Sequence, residues 1–308
     1  MSRISLIGAP VDSGQRNRGC LMGPAAYRIA GIESVLRDLG HTVTDAGDAR
    51  PAPLPPAHCD NPAVDQLDET RGWTEVLRQS VAGALAAGDM PVVLGGDHSL
   101  ALGSVAGAAQ HATVAGRPLF LLWLDAHSDF HTPVSTTSGN LHGTPVAYIA
   151  GREGFDAFPP FPAPIPQENI CLFGIRSVDT AESAALRKTE IIVNDMRVLD
   201  ERGVIGPLRE FLDRVRAAGG MLHVSLDVDF LDPAIAPAVG TTVPGGTTFR
   251  EAHLVCELLH ESGLMTSLDL VELNPFLDER GRTARLMVDL AGSLFGKKVF
   301  DRPTRSFH

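Results

Sequence analysis

The sequence predicts an α/β fold: one three-layer α/β/α domain over residues 1–308 with a mostly parallel central sheet. Short aliphatic runs alternate with longer amphipathic stretches, the sign of strands joined by helices across a parallel sheet. Clusters of Asp and His fall just after several of those runs, at the sheet edge where open parallel sheets place their ligands. A chain of 308 residues with 44% hydrophobic and 20% charged residues can bury a core of the size such a sheet needs.

The run at 4–8 is the first strand, and a helix is expected at 25–39, where Gly23-Pro24 puts proline in the first turn. Further strands are expected at 91–95, 118–124, 170–174, 191–193, 221–226 and 265–273. Amphipathic stretches at 73–87, 204–218 and 249–262 fit helices. Two proline-rich segments, 49–63 and 155–167, break the rhythm. Composition does not change across either, so both are expected to be loops within the domain. No internal repeat is present.

The formal net charge of −11 argues against nucleic acid or anionic lipid as a partner, because both are bound through clustered Lys and Arg. A small cationic substrate or metal ions suit this field better. No apolar stretch approaches the ~20 residues that span a bilayer, and the first residues lack the pattern of a signal peptide. Cys20, Cys59, Cys171 and Cys256 form no CxxC pair. They are expected to be reduced, buried thiols of a cytoplasmic protein that associates with no membrane.

Three clusters carry chemistry: Gly95-Gly96-Asp97-His98-Ser99, Asp125-Ala126-His127-Ser128-Asp129, and Asp227-Val228-Asp229 with Asp232 behind it. Residues two apart in extended chain point to one side, so Asp125, His127 and Asp129 can converge, as can Asp227 and Asp229. Carboxylates gathered in that number repel one another and lose hydration, at several kcal/mol each, unless a positive charge joins them. Carboxylate-rich sites with a minority of His suit Mn²⁺. Six ligands, with carboxylates able to bridge, are too many for one ion and about right for two. A single Asp after a strand is more often a helix cap, the reading for Asp97 and Asp232, and His223 in its apolar run reads as a satisfied core residue.

GGDHS, DAHSD and SLDVDFLDP, in this order, resemble the three metal motifs of the ureohydrolase superfamily, and the similarity runs from Gly8-Ala9-Pro10 to Glu272-Leu273-Asn274-Pro275. The resemblance implies the arginase/deacetylase-like version of the fold and two Mn²⁺ ions per subunit. His98, Asp125, Asp129 and Asp227 would hold one ion, and His127, Asp125, Asp227 and Asp229 the other. Residues 132–143, with the stretch Thr137-Ser138-Gly139-Asn140, are closer to the substrate loop of arginases than to that of agmatinases. By the same resemblance Thr136 and Ser138 contact an α-carboxylate, Asp179 with Glu182 nearby holds an α-amino group, Glu272 orients the guanidinium beside Thr241, and His142 shuttles protons. Asp129 would hydrogen-bond the nucleophile. His131 stands where many arginases have an Asn that touches the carboxylate, and Ser177 replaces a frequent Asp. The implied reaction is hydrolysis of L-arginine to L-ornithine and urea by water activated between the manganese ions. Guanidinobutyrate and agmatine are alternative substrates, and a homo-oligomer, trimer or hexamer, is implied too.

Overall fold

Eight strands, β1 (Arg3–Ala9), β2 (Thr42–Asp48), β3 (Met90–Gly95), β4 (Leu119–Leu124), β5 (Ile170–Ile175), β6 (Ile192–Asp195), β7 (Met221–Asp227) and β8 (Met265–Val271), form one sheet. Their order is β2-β1-β3-β8-β7-β4-β5-β6, and every pairing is parallel. The computed structural model describes residues 1–298, so residues 299–308 of the expected domain lie outside the described residues.

The inner strands are largely apolar because both faces are covered; β4, Leu-Phe-Leu-Leu-Trp-Leu, is buried at every position, while β7 and β8 also bury polar residues such as His223 and Asp269. Side chains alternate between two cores. Leu122 and Leu124 join Leu6, Leu94, Phe173, Val224 and Leu226 in one, and Leu121 and Trp123 join Ile7, Val93 and Leu172 in the other. The first core is closed by α1 (Gly23–Ile29), α2 (Ile32–Asp38), α8 (Ile205–Ala217), α9 (Phe249–Ser262) and α10 (Arg282–Leu294). The second lies under α3 (Leu67–Ala86), α4 (Ala101–Ala115) and α5 (Pro145–Ile149). The short helices α6 (Thr180–Leu186) and α7 (Met196–Arg202) flank β6.

Several elements depart from expectation for identifiable reasons. The helix at 25–39 is two helices, since Gly31 takes φ 92° between α1 and α2. Strand β2 carries polar residues and is largely exposed at the sheet edge, so it lacks an apolar run. Helix α4 is buried nearly all round and shows no polar stripe. It packs so tightly on α3 that a Cβ on Gly103 or Gly107 would come within 2.5 Å of the Thr74 carbonyl or 2.6 Å of the Arg78 carbonyl. Strand β8 stops at Val271, before the expected 273. The segment 49–63 carries no helix or strand, and 155–167 carries none until a 3-10 turn opens at Gln167. All four cysteines are free; Cys20, Cys171 and Cys256 are buried as expected, whereas Cys59 is only partly covered. Among the described residues no helix is long and apolar enough to cross a membrane.

Candidate metal centre

Strands β3, β8, β7 and β4 are consecutive neighbours in mid-sheet. Because all run parallel, the residues that follow them meet at one edge. After β3, Gly96 threads a gap in which a Cβ would stand 1.9 Å from the Val11 carbonyl, so only glycine fits. Asp97 then caps the next turn, accepting from Ser99 N at 3.0 Å and Gly14 N at 2.8 Å. Asp232 likewise caps its loop, taking Ala234 N and Gly245 N, and His223 is held in the core by Ser267 and Asp269. None of these three stands among the converging ligand atoms.

The six expected ligands converge. His98 Nδ1 lies 3.0 Å from Asp125 Oδ2, 3.0 Å from Asp227 Oδ2 and 3.3 Å from Asp129 Oδ2. His127 Nδ1 lies 3.0 Å from Asp229 Oδ2 and 3.5 Å from Asp125 Oδ1. The two oxygens of Asp125 thus serve one imidazole each. Two sets follow, His98 with Asp125 and Asp227, and Asp125 with His127 and Asp229, each with ligand atoms within 4.8 Å of one another. Asp227 stands in the first set, its Oδ1 accepting Asp229 N at 2.8 Å. Asp129 holds φ 46° and Glu272 φ 64°, left-handed conformations that ordinarily cost ~1–3 kcal/mol each outside glycine.

Electrostatics test whether these residues suit a metal pair. Burial and the neighbouring carboxylates push Asp227, Asp129 and Asp229 above the usual carboxylate range. Burial opposes ionisation of Asp125 also, but the close imidazoles of His127 and His98 outweigh it and hold this carboxyl low. The same contacts overcome burial at the imidazoles, raising His98 to about 9 and His127 to about 12. Protons on the imidazoles are therefore the counter-charge that the side chains alone can supply. His98 Nδ1 and Asp125 Oδ2 are buried, and neither makes an aligned hydrogen bond despite their 3.0 Å separation. Imidazole and carboxylate atoms at that spacing, with no thiolate among them, fit a binuclear site for divalent cations.

Supporting residues were not anticipated from sequence. Trp123 stacks on the His98 ring at 3.9 Å, and Ser225 Oγ meets His98 Nε2 at 2.8 Å. Trp123 sits two residues before Asp125 and Ser225 two before Asp227, so the period of two was the available signal. Gln15 Nε2 donates to Glu272 Oε2 at 2.8 Å across 257 residues of sequence, which no local pattern announces.

A cleft of about 140 Å³ opens over the centre and is lined also by His131, His142, Glu182, Thr241 and Glu272. Glu272 is buried and accepts from Gln15, from His98 N at 2.7 Å and from His142 Nδ1 at 2.9 Å. Burial would raise its carboxyl, yet the charge and hydrogen bond of His142 hold it below the ordinary value. Reciprocally, burial would lower His142, and Glu272 raises it. Thr241 Oγ1 donates to Asp229 Oδ2 at 3.2 Å. Asp179 caps α6 in a reciprocal box with Glu182, and His131 Nε2 meets Asp179 Oδ2 at 2.8 Å. Thr136 and Ser138 hydrogen-bond each other at 3.2 Å; with Asp179 they stand outside the cleft lining.

The description "Arginase family" belongs to a family model that matches residues 2–296. An arginase of Agrobacterium fabrum is 59% identical over 307 residues, covering 100% of this chain and 95% of that protein. An arginase of Bacillus subtilis is 39% identical, covering 96% of this chain and 98% of that protein. The native structure of Bacillus caldovelox arginase superposes with a TM-score of 0.88 at 38% identity, covering 97% of this chain and 100% of the other. With the paired imidazole–carboxylate centre at the sheet edge and these likenesses over nearly its whole length, the chain belongs to the arginase family.

Proposed function

We propose that this chain hydrolyses L-arginine to L-ornithine and urea with two Mn²⁺ ions as cofactors. The carrying observation is that Glu272, a buried carboxylate, faces the same small cleft as the two imidazole–carboxylate sets that share Asp125. A guanidinium offers paired N–H donors to such a carboxylate while its central carbon lies toward the metal side. Relatives named as arginases at 59% and 39% identity support the choice of substrate.

His98, Asp125, Asp129 and Asp227 would hold one ion, and His127, Asp125, Asp227 and Asp229 the second. Such a pair supplies Lewis acidity and a hydroxide nucleophile at neutral pH. The chain does the rest. Glu272, fixed by Gln15 and the His98 amide, orients the guanidinium, and Thr241 stands beside it. Asp129 accepts the hydrogen bond of the attacking nucleophile. His142, held by Glu272 through Nδ1, keeps Nε2 for proton exchange between the cleft and water and hands a proton to the leaving amine. Asp179 and Glu182 receive the α-amino group, and His131, Thr136 and Ser138 the α-carboxylate.

Urea release from the Mn²⁺-loaded protein, measured over L-arginine, agmatine and guanidinobutyrate, tests the proposal. L-Arginine should be turned over far faster than either compound lacking one end of the amino acid. Preference for agmatine or guanidinobutyrate refutes the arginine assignment and supports a second reading, hydrolysis of another guanidino compound. That reading draws on His131, whose hydrogen bond engages the carboxylate assigned to the amino group. The same proposal takes residues 1–308 as one domain, the enzyme as a cytoplasmic trimer or hexamer, and its substrate as a small molecule with no nucleic-acid or membrane partner.

A further inference from the structure

Apart from the binuclear centre, one more imidazole–carboxylate group converges among the described residues: His131, Asp179 and Glu182. His131 Nε2 is 2.8 Å from Asp179 Oδ2 and 3.9 Å from Glu182 Oε2, and one ligand atom from each residue lies within 4.8 Å of the others. Ligands ~2.0–2.2 Å from a zinc ion stand roughly 3–3.5 Å apart, so small side-chain adjustments close this set on one ion.

Each side chain is fastened from behind. His131 Nδ1 meets Ser135 Oγ at 3.2 Å, whose oxygen is itself held by Thr132 N at 2.8 Å. Asp179 Oδ1 accepts Glu182 N at 2.9 Å. Glu182 Oε1 accepts Ser128 Oγ at 2.7 Å and Phe130 N at 3.0 Å. Only a long 3.4 Å contact from Asp179 N reaches Glu182 Oε2, which keeps a free lone pair. Metal-binding histidines commonly direct the second ring nitrogen to an oxygen in this manner. The Nε2–H now given to Asp179 must be displaced for an ion to bind, while the ring keeps its Nδ1 contact with Ser135 Oγ.

We infer that His131, Asp179 and Glu182 form a third metal site, of zinc class, at the mouth of the cleft, and that its occupation shuts out the amino end of the substrate. Two carboxylates and one imidazole match a borderline divalent cation, and the ion neutralises the carboxylate pair. His131 and Glu182 line the cleft while Asp179, 51% exposed at its side chain, stays within reach of solvent ions. The exclusion of substrate, though not the binding of the ion, rests on the proposed function, in which Asp179 and Glu182 hold the α-amino group.

The test soaks crystals of the Mn²⁺-loaded enzyme in zinc chloride, collects anomalous scattering at the zinc edge, and pairs this with equilibrium dialysis and metal analysis. The expected result is one Zn²⁺ per chain beyond two Mn²⁺, with a peak beside His131 Nε2. Binding should weaken at least tenfold in His131→Asn and in Asp179→Asn, the latter keeping its helix cap because Asn caps as well as Asp. A peak only at His98 and His127, with manganese lost, overturns the site, as does zinc binding unchanged in both variants. In kinetics, zinc should raise KM for L-arginine at constant kcat, and His131→Asn should abolish that rise relative to its own zinc-free KM. Zinc seated at the triad with KM unmoved leaves the site standing and overturns the exclusion. Zinc bound there in a protein that releases no urea from L-arginine refutes the proposed function alone.

Discussion

Ser225 and His142 each hydrogen-bond a residue that lines the cleft, and their proposed tasks are separable. Ser225 touches no reacting atom; it holds His98 Nε2, and Trp123 clamps the same ring from its face. Partners of this kind usually contribute about 10–100-fold to metal affinity. Ser225→Ala should therefore raise the Mn²⁺ concentration for half-maximal activity by that factor and leave kcat at saturating metal nearly unchanged. His142 hydrogen-bonds Glu272 and is proposed for proton transfer, a role typically worth about 100-fold or more. His142→Ala should lower kcat by that order while metal analysis still finds a full complement; undiminished turnover ends its role as shuttle. Sequence made all six ligand candidates visible, because five stand two apart in Asp125-Ala126-His127-Ser128-Asp129 and Asp227-Val228-Asp229, and His98 lies in the short motif Gly95-Gly96-Asp97-His98-Ser99. Gln15 stayed hidden, since its contact with Glu272 joins residues 257 apart in the chain.

At the scale of elements, the termini are set by local chemistry and the cleft inherits its accuracy from them. Helix α9 begins where expected, with Thr248 accepting Glu251 N and the Glu251 side chain returning to Thr248 N. Thr248→Ala should cost about 1 kcal/mol, read as a lower denaturation midpoint with unchanged kcat, because this cap is remote from the cleft. Helix α6 shows the contrasting case: its capping box, Asp179 with Glu182, is built from residues proposed for substrate. There a capping change should disturb KM as well as stability. Strands covered on both faces were legible as apolar runs, and α9 by its amphipathic period. Polar β2 and all-buried α4 were not, since an edge strand need not be apolar and a buried helix has no polar face.

For the whole molecule, the centre links metal to stability. Asp125, Asp129, Asp227 and Asp229 crowd together under near-complete burial, and burial with mutual repulsion pushes all but Asp125 upward. Ions that bind the folded form at about 100 times Kd stabilise it by ~2.7 kcal/mol. Chelation with EDTA should thus lower Tm on the order of 5 °C. Asp227→Asn, which removes both a ligand and a repelling charge, should show a smaller fall; an equal fall would place the metal effect elsewhere. Sequence by itself determined the donor types, their spacing within each motif and their position after strands, because these depend on neighbours in the chain. Tertiary structure alone decided that β3, β8, β7 and β4 stand side by side, that Asp125 divides its oxygens between two imidazoles, and that His131 closes on Asp179 and Glu182. Those contacts join residues far apart in sequence, and only the packing of strands and helices into one sheet brings them within a few ångströms.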